Sequence, residues 1–226
     1  GEPHQQETLA DKPTARISGG GLTRRRATIK RVQDLAFSLP MLAVFGPLMA
    51  VIAVLIKLDS PGPVLFRQRR EGFNNRVITV FKFRTMRHDP NGAAGPLVQV
   101  QANDPRVTKL GAFLRRTSLD ELPQLFNVLM GDMSLVGPRP HAVGMKTGDV
   151  TTSTIVAEYA HRHRIKPGLT GWAQINGSRG PVECPEEVRE RVRYDLEYMN
   201  RASFWFDVWI MLRTVPALLG DELRTR

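Results

Sequence analysis

The sequence predicts an α+β fold: a membrane-embedded, re-entrant helix-break-helix, then a mostly helical domain with a small β-hairpin and amphipathic helices suited to an interface. Three observations predict it. The run from Leu35 to Ile56 is uncharged and mostly apolar, with Lys30 and Arg31 before it and Lys57 after it. Val64–Arg69 and Val77–Phe83 read as strands around a polar turn at Asn74-Asn75. Past Ser118, and again past Pro185, apolar residues return at helical spacing. Three units follow: a polar basic tail over 1–28, the membrane segment over 29–58, and one domain over 59–226 on the membrane face.

In chain order, the tail is rich in Gly and Pro and ends in the cluster Arg24-Arg25-Arg26, which marks it as lying outside the core. The apolar run of about 22 residues would reach roughly 33 Å as a helix, enough to cross a hydrocarbon core of about 30 Å. A plain spanning anchor therefore stays open. Against it, Pro47 follows Gly46 mid-run and removes the hydrogen bond to the Ala43 carbonyl, and Pro40 is a second breaker. A spanning helix would also leave one basic flank outside, against the positive-inside tendency, whereas a re-entrant hairpin keeps both flanks in the cytoplasm.

Asp59-Ser60-Pro61-Gly62-Pro63 ends the membrane segment as a rigid turn. The second strand carries Lys82 and leads into Arg84. The stretch from His88 to Asn103 is a Gly/Pro-rich loop. Asp104-Pro105 predicts a helix running to about Arg116. Ser118 and Glu121 have capping-box spacing, with Leu122, Leu125, Phe126 and Leu129 as the apolar face, so Asp120 and Glu121 fall in a first helical turn. A well-capped helix, a magnesium site and a nucleophile all suit ionised carboxylates there. Gly137-Pro138-Arg139-Pro140 is a stiff turn that restricts where a guanidinium points, which suits a planar anion or simply an exposed arginine. Ile155–Arg164 is helical and ends in His-Arg-His-Arg, basic enough to face phosphate or lipid headgroups, and His141 is at most pocket lining. Ser203–Leu219, with Trp205 and Trp209, either lies flat on a membrane or packs in the core.

With 32 basic and 22 acidic residues in 226, the net charge of +10 points to an anionic partner. Charge alone would admit nucleic acid, but no nucleic-acid motif is present and the apolar run would go unexplained. The single cysteine, Cys184, excludes an internal disulfide, and no Cys/His cluster has zinc spacing.

SPGPVLFRQRR, FKFRTM, RRTSLDELPQLFNVLMGDMSLVGPRP and WAQINGSRG, in one order over about Lys30 to Leu219, resemble the bacterial sugar transferase family, the monotopic phosphoglycosyl transferases. The resemblance implies a membrane enzyme that moves a hexose-1-phosphate from a UDP-sugar to polyprenyl (undecaprenyl) phosphate through an aspartyl-phospho-sugar. It implies Asp120 and Glu121 as the catalytic and Mg²⁺-binding dyad. It further implies Lys82, Arg84, Arg115, Arg139, Pro138 and Pro140 as the phosphate and nucleotide contacts, and Gly46-Pro47 as the membrane break where many members have Ser-Pro. The setting implied is the cytoplasmic face of a bacterial inner membrane, at the first membrane step of exopolysaccharide, O-antigen or capsule assembly. Glucose or galactose is the sugar favoured, an N-acetylated or deoxy-amino sugar the alternative. A basic scaffold without catalysis is the competing class, and a homodimer stays open.

Overall fold

The computed structural model describes residues 23–88, 104–142, 144, 146–147, 150–152, 155–180, 182 and 184–224. Most of the tail and most of the 88–103 loop fall outside the described residues.

Helix α1 runs from Arg24 to Asp59 and is capped by the Thr23 side chain. The basic cluster Arg24–Arg26 is thus its first turn, and the tail ends about five residues earlier than the sequence suggests. Pro40 and Pro47 both lie inside α1, and no residue there leaves the helix. The two separate halves expected around Gly46-Pro47 are one element. Each proline deletes a single rung of the ladder, and the remaining rungs of a 36-residue helix carry through.

One face of α1 packs along its whole length. Gln33, Asp34, Ser38, Met49, Ile52 and Ile56 are buried, with Met41 and Leu42 packed between the two groups. Both ends are bonded to the same body. Near the start, Lys30 pairs with Asp207 at 2.6 Å, and Arg31 donates to the Val128 and Leu129 carbonyls at 2.6 and 2.7 Å. Asp34 accepts from Ser134 Oγ and the Leu135 N–H at 2.9 and 3.0 Å. Near the end, Met49, Ile52 and Ile56 pack with Phe83 and Leu114. The opposite face is apolar and bare, with Val44, Val51, Val54 and Leu58 all more than half exposed. By length and composition α1 could cross a membrane.

Strands β1 (Leu65–Glu71) and β2 (Val77–Phe83) form an antiparallel hairpin, as predicted, with Asn74 and Asn75 taking the left-handed conformation at the turn. Helix α2 covers Lys109–Arg116, starting at Thr108. Asp104 instead closes a local turn onto Arg106, so the helix begins later than Asp104-Pro105 implies. A Cβ on Gly111 would strike the Thr85 backbone, so glycine lets α2 sit against the chain leaving β2. Helix α3 is Gln124–Met130, ended by Gly131 at φ 89°. Strand β3 (Ser134–Val136) precedes the Gly-Pro-Arg-Pro turn. Strands β4 (Lys146–Thr147) and β5 (Val150–Thr151) form a minimal hairpin. Strand β6 (Gly168–Thr170) pairs in parallel with β3. Helices α4 (Trp172–Ile175), α5 (Pro185–Arg201) and α6 (Phe204–Arg224) complete the chain.

The main core gathers β2, α3, β3, α5 and α6 around Val80, Leu125, Val128, Leu135, Tyr198 and Ile210. Helix α6 divides its faces: Asp207 and Ile210 are buried, while Trp205, Leu212 and Val215 stand out. Trp209 stacks on Phe206 and lies against Trp172. The mixture of small sheets and helices is the α+β class the sequence predicts.

Candidate active site

The residues between α2 and α3 do not form the capped helix that Ser118 and Glu121 suggest. Ser118 sits at φ 57°, its side chain caps nothing, and Leu119–Glu121 is one tight 3-10 turn. The α-helix proper begins only after Pro123. Proline fits the first turn of a helix and not its interior, which pins the start there. The apolar phase shifts accordingly: Gln124, Leu125, Asn127 and Val128 are buried and Phe126 is exposed. The two carboxylates are thus presented by a strained turn.

Glu121 points into a wall of cations. Lys82 Nζ donates to its Oε1 at 2.6 Å, and the Arg139 guanidinium reaches Oε1 at 2.7 Å and Oε2 at 3.3 Å. Burial of Glu121 opposes its charge, but Arg139 and Lys82, by charge and hydrogen bond, outweigh that and hold the carboxyl well below its usual range. Asp120 is different. It is 8% exposed, its nearest cation is Lys82 at 3.8 Å, and among the described residues it accepts no hydrogen bond. Burial pushes its pKa up to about 6; Lys82 pulls it down and the Glu121 charge pushes it up again. Arg115 ends α2 with its Nε on Thr85 Oγ1 at 2.7 Å, close enough for its charge to favour ionised Asp120.

Lys82, Arg115, the adjacent pair Asp120 and Glu121, and Arg139 therefore converge, from four separate places in the sequence. Pro138 and Pro140 bracket Arg139 as expected. Arg84 does not join them. Its guanidinium donates to the Ile56, Ser60 and Pro61 carbonyls and to Ser60 Oγ, closing the C-terminus of α1. Strand alternation would put Arg84 beside Lys82, but β2 ends at Phe83 and the chain turns under α1. Gly46 and Pro47, expected as the break of the membrane helix, lie within α1 and do not interrupt it.

Three further groups shape the site without having been singled out. Asn127 Nδ2 donates to the Thr79 carbonyl at 2.7 Å and its Oδ1 accepts from the Phe81 N–H at 3.0 Å. It locks α3 to the strand that carries Lys82. Arg162 is buried against Asp195, and His163 is buried too, so this half of the His-Arg-His-Arg stretch turns inward instead of meeting phosphate or headgroups. Arg70 lies beneath the Pro138–Pro140 turn. The signal for Asp195 was present: with Val188, Arg191, Val192 and Tyr198 it falls on the buried stripe of α5. His141 is not substrate lining. It is 2% exposed and bonded to Tyr159 at 2.6 Å, beside a cavity of about 10 Å³, room for one water.

Among the described residues no three His, Cys, Asp or Glu side chains gather as a ready-made metal cage. Mg²⁺ commonly takes one or two protein carboxylates and fills its shell with water and phosphate oxygens. The uncommitted carboxylate of Asp120 fits that pattern. Glu121 fits only if Lys82 or Arg139 lets go.

The family profile described as bacterial sugar transferase matches residues 25–221. A UDP-glucose:undecaprenyl-phosphate glucose-1-phosphate transferase of Xanthomonas campestris pv. campestris is 44% identical over 219 residues, covering 96% of this chain and 44% of that protein. An exopolysaccharide production protein PSS of Rhizobium leguminosarum bv. phaseoli is 50% identical over 191 residues, 84% of this chain and 95% of the relative. A UDP-N-acetylgalactosamine-undecaprenyl-phosphate N-acetylgalactosaminephosphotransferase of Aeromonas hydrophila is 39% identical over 193 residues, 85% of this chain and 44% of the relative. The chain thus spans less than half of the Xanthomonas and Aeromonas proteins.

Proposed function

This chain belongs to the bacterial sugar transferase family, and from that premise we propose that it transfers glucose-1-phosphate from UDP-glucose to undecaprenyl phosphate. The observation that carries the reading is the dyad itself: a carboxylate held by no hydrogen bond among the described residues, only by a 3.8 Å ion pair to Lys82, beside one gripped by Lys82 and Arg139. A cationic wall beside a loosely held carboxylate suits a diphosphate with an attacking oxygen at its side. Glucose is favoured because the relative at 44% identity is named for it, whereas the one named for N-acetylgalactosamine stands at 39%.

In this reaction an Asp120 oxygen attacks the phosphorus that bears the sugar. The bond to the uridine monophosphate oxygen breaks, UMP leaves, and an acyl phosphate joins Asp120 to the sugar. An oxygen of undecaprenyl phosphate then attacks the same phosphorus and returns Asp120 as a carboxylate. Lys82, Arg115 and Arg139 neutralise the diphosphate, and Glu121 keeps Lys82 and Arg139 in place before substrate arrives. Asp120, with the diphosphate oxygens, would hold Mg²⁺, which supplies further screening of phosphate charge.

Helix α1 enters the cytoplasmic leaflet of the inner membrane by its bare apolar face and returns as one helix, bent and not broken, with Gly46-Pro47 near its deepest point. Two facts support this over a spanning anchor. Both ends of α1 are bonded to one body, and its outward face is apolar with no partner among the described residues. The exposed Trp205, Leu212 and Val215 of α6 suit the interface. Single cysteines at Thr23 and Asn75, with Cys184→Ser, should both resist an impermeant thiol reagent in intact cells. Labelling of Thr23→Cys alone would mean a spanning helix.

The activity is tested with undecaprenyl phosphate, Mg²⁺ and a panel of UDP-sugars: glucose, galactose and N-acetylated hexosamines. UMP release with UDP-glucose is expected. Release of UDP would mean transfer of the sugar without its phosphate, and no release would end the proposal.

A further inference from the structure

Arg139 is the only member of the cation wall that a rigid turn carries, and that turn is held by its backbone. The carbonyls of Pro138, Arg139 and Pro140 are all taken. Pro138 accepts from the Gly168 N–H at 2.9 Å. The Arg139 carbonyl accepts from Arg162 Nη2 at 2.7 Å, and the Pro140 carbonyl from Arg70 Nη1 at 2.7 Å. Each of these arginines is itself fixed by a second side chain. Asp195 takes Arg162 Nε at 3.0 Å and Nη2 at 2.8 Å, both side chains being almost wholly buried. Gln68 Oε1 takes Arg70 Nε at 3.0 Å and Nη2 at 2.6 Å.

These bonds fix the peptide planes before and after Arg139. With a proline on either side, they set the direction in which the Arg139 side chain leaves the chain. That direction leads to Glu121. We propose that Arg162, braced by Asp195, and Arg70, braced by Gln68, are positioning residues that hold the Arg139 guanidinium over the dyad. They act on the reaction through Arg139. The inference rests on the proposed chemistry at Asp120 and deepens it.

The test is a set of double-mutant cycles on the chain in detergent micelles, following UMP release from UDP-glucose with undecaprenyl phosphate. Arg70→Gln, Arg162→Lys and Asp195→Asn are each made alone and in an Arg139→Lys background, with thermal unfolding measured alongside. Alone, each should lower kcat/KM about tenfold to a hundredfold, the scale of a misplaced catalytic group. Each should also move the acid limb of the pH profile upward, because a displaced Arg139 no longer favours the ionised Asp120. In the Arg139→Lys background the same changes should cost less than about threefold, since the group they position is already altered. Losses that multiply in full, or an unmoved acid limb in variants that unfold as wild type does, would overturn the proposal. Should the buried-pair variants fail to fold, Gln68→Ala decides, because it frees Arg70 and leaves Arg162 and Asp195 intact. Wild-type release by Asp120→Asn would instead remove the underlying reading of the site. A dead Asp120→Asn with fully multiplicative cycles would remove this inference alone.

Discussion

The site has an open side and a braced side, and one peptide bond separates them. On the open side Asp120 is buried enough to resist ionising, with no hydrogen-bond donor of its own among the described residues. On the braced side Glu121 is fully engaged by Lys82 and Arg139 and stays ionised. The same turn presents both, so side-chain direction alone makes the difference. A carboxylate hydrogen-bonded to two cations is a poor nucleophile and a good organiser; a desolvated one that no hydrogen bond holds is the reverse.

Substitution at the open side should have the largest effect. Asp120→Asn keeps the shape of the side chain and removes its charge, and nucleotide release should fall by at least about a thousandfold. Glu121→Gln should slow turnover by a smaller factor, about tenfold to a hundredfold. It should also destabilise the fold by about 3 kcal/mol near pH 7, because Lys82 and Arg139 lose their anion. The sign follows from the depressed Glu121 pKa. Its stabilisation is present above the ordinary glutamate range and is lost as pH falls through the folded value, so the Glu121→Gln cost should shrink in acid. Chemical denaturation at pH 7 and at about pH 2 would read this directly.

Next comes the pH profile. With Asp120 half ionised at about pH 6, kcat/KM should drop roughly tenfold at pH 5 relative to its plateau. A limb near pH 4 would mean that Asp120 is not desolvated as described. The smallest effect is on stability, and its sign is opposite to that at Glu121. A pKa raised above the unfolded value means that stability is fully present below about pH 4 and lost as pH rises through about 6. Asp120→Asn should therefore stabilise the protein at pH 8, on the order of 1–3 kcal/mol, and have little effect at pH 4.

What the sequence made legible were local patterns and motif resemblance. The hairpin was readable because strand composition and the Asn74-Asn75 turn are local signals. Asp120, Glu121, Lys82, Arg115 and Arg139 came from motif resemblance, which reports the assembled site without showing the assembly. Arg84 was misread because its partners, the Ile56 carbonyl in the last turn of α1 and the Ser60 and Pro61 carbonyls just past it, lie more than twenty residues away. Arg162 was misread for a similar reason: a basic cluster looks solvated until Asp195, 33 residues on, neutralises it inside the core. Ser118 and Glu121 fit a capping box in spacing, but Pro123 moves the helix start past both.

The most direct test of Asp120 as nucleophile is intact-protein mass spectrometry after incubation with UDP-glucose and Mg²⁺ and no lipid. The wild-type chain should gain the mass of one phospho-hexose, labile to hydroxylamine as an acyl phosphate is, and release one equivalent of UMP. Asp120→Asn should gain nothing. An adduct that persists on Asp120→Asn would contradict the assignment, and a wild-type chain that gains no mass yet turns over with lipid present would contradict the covalent route.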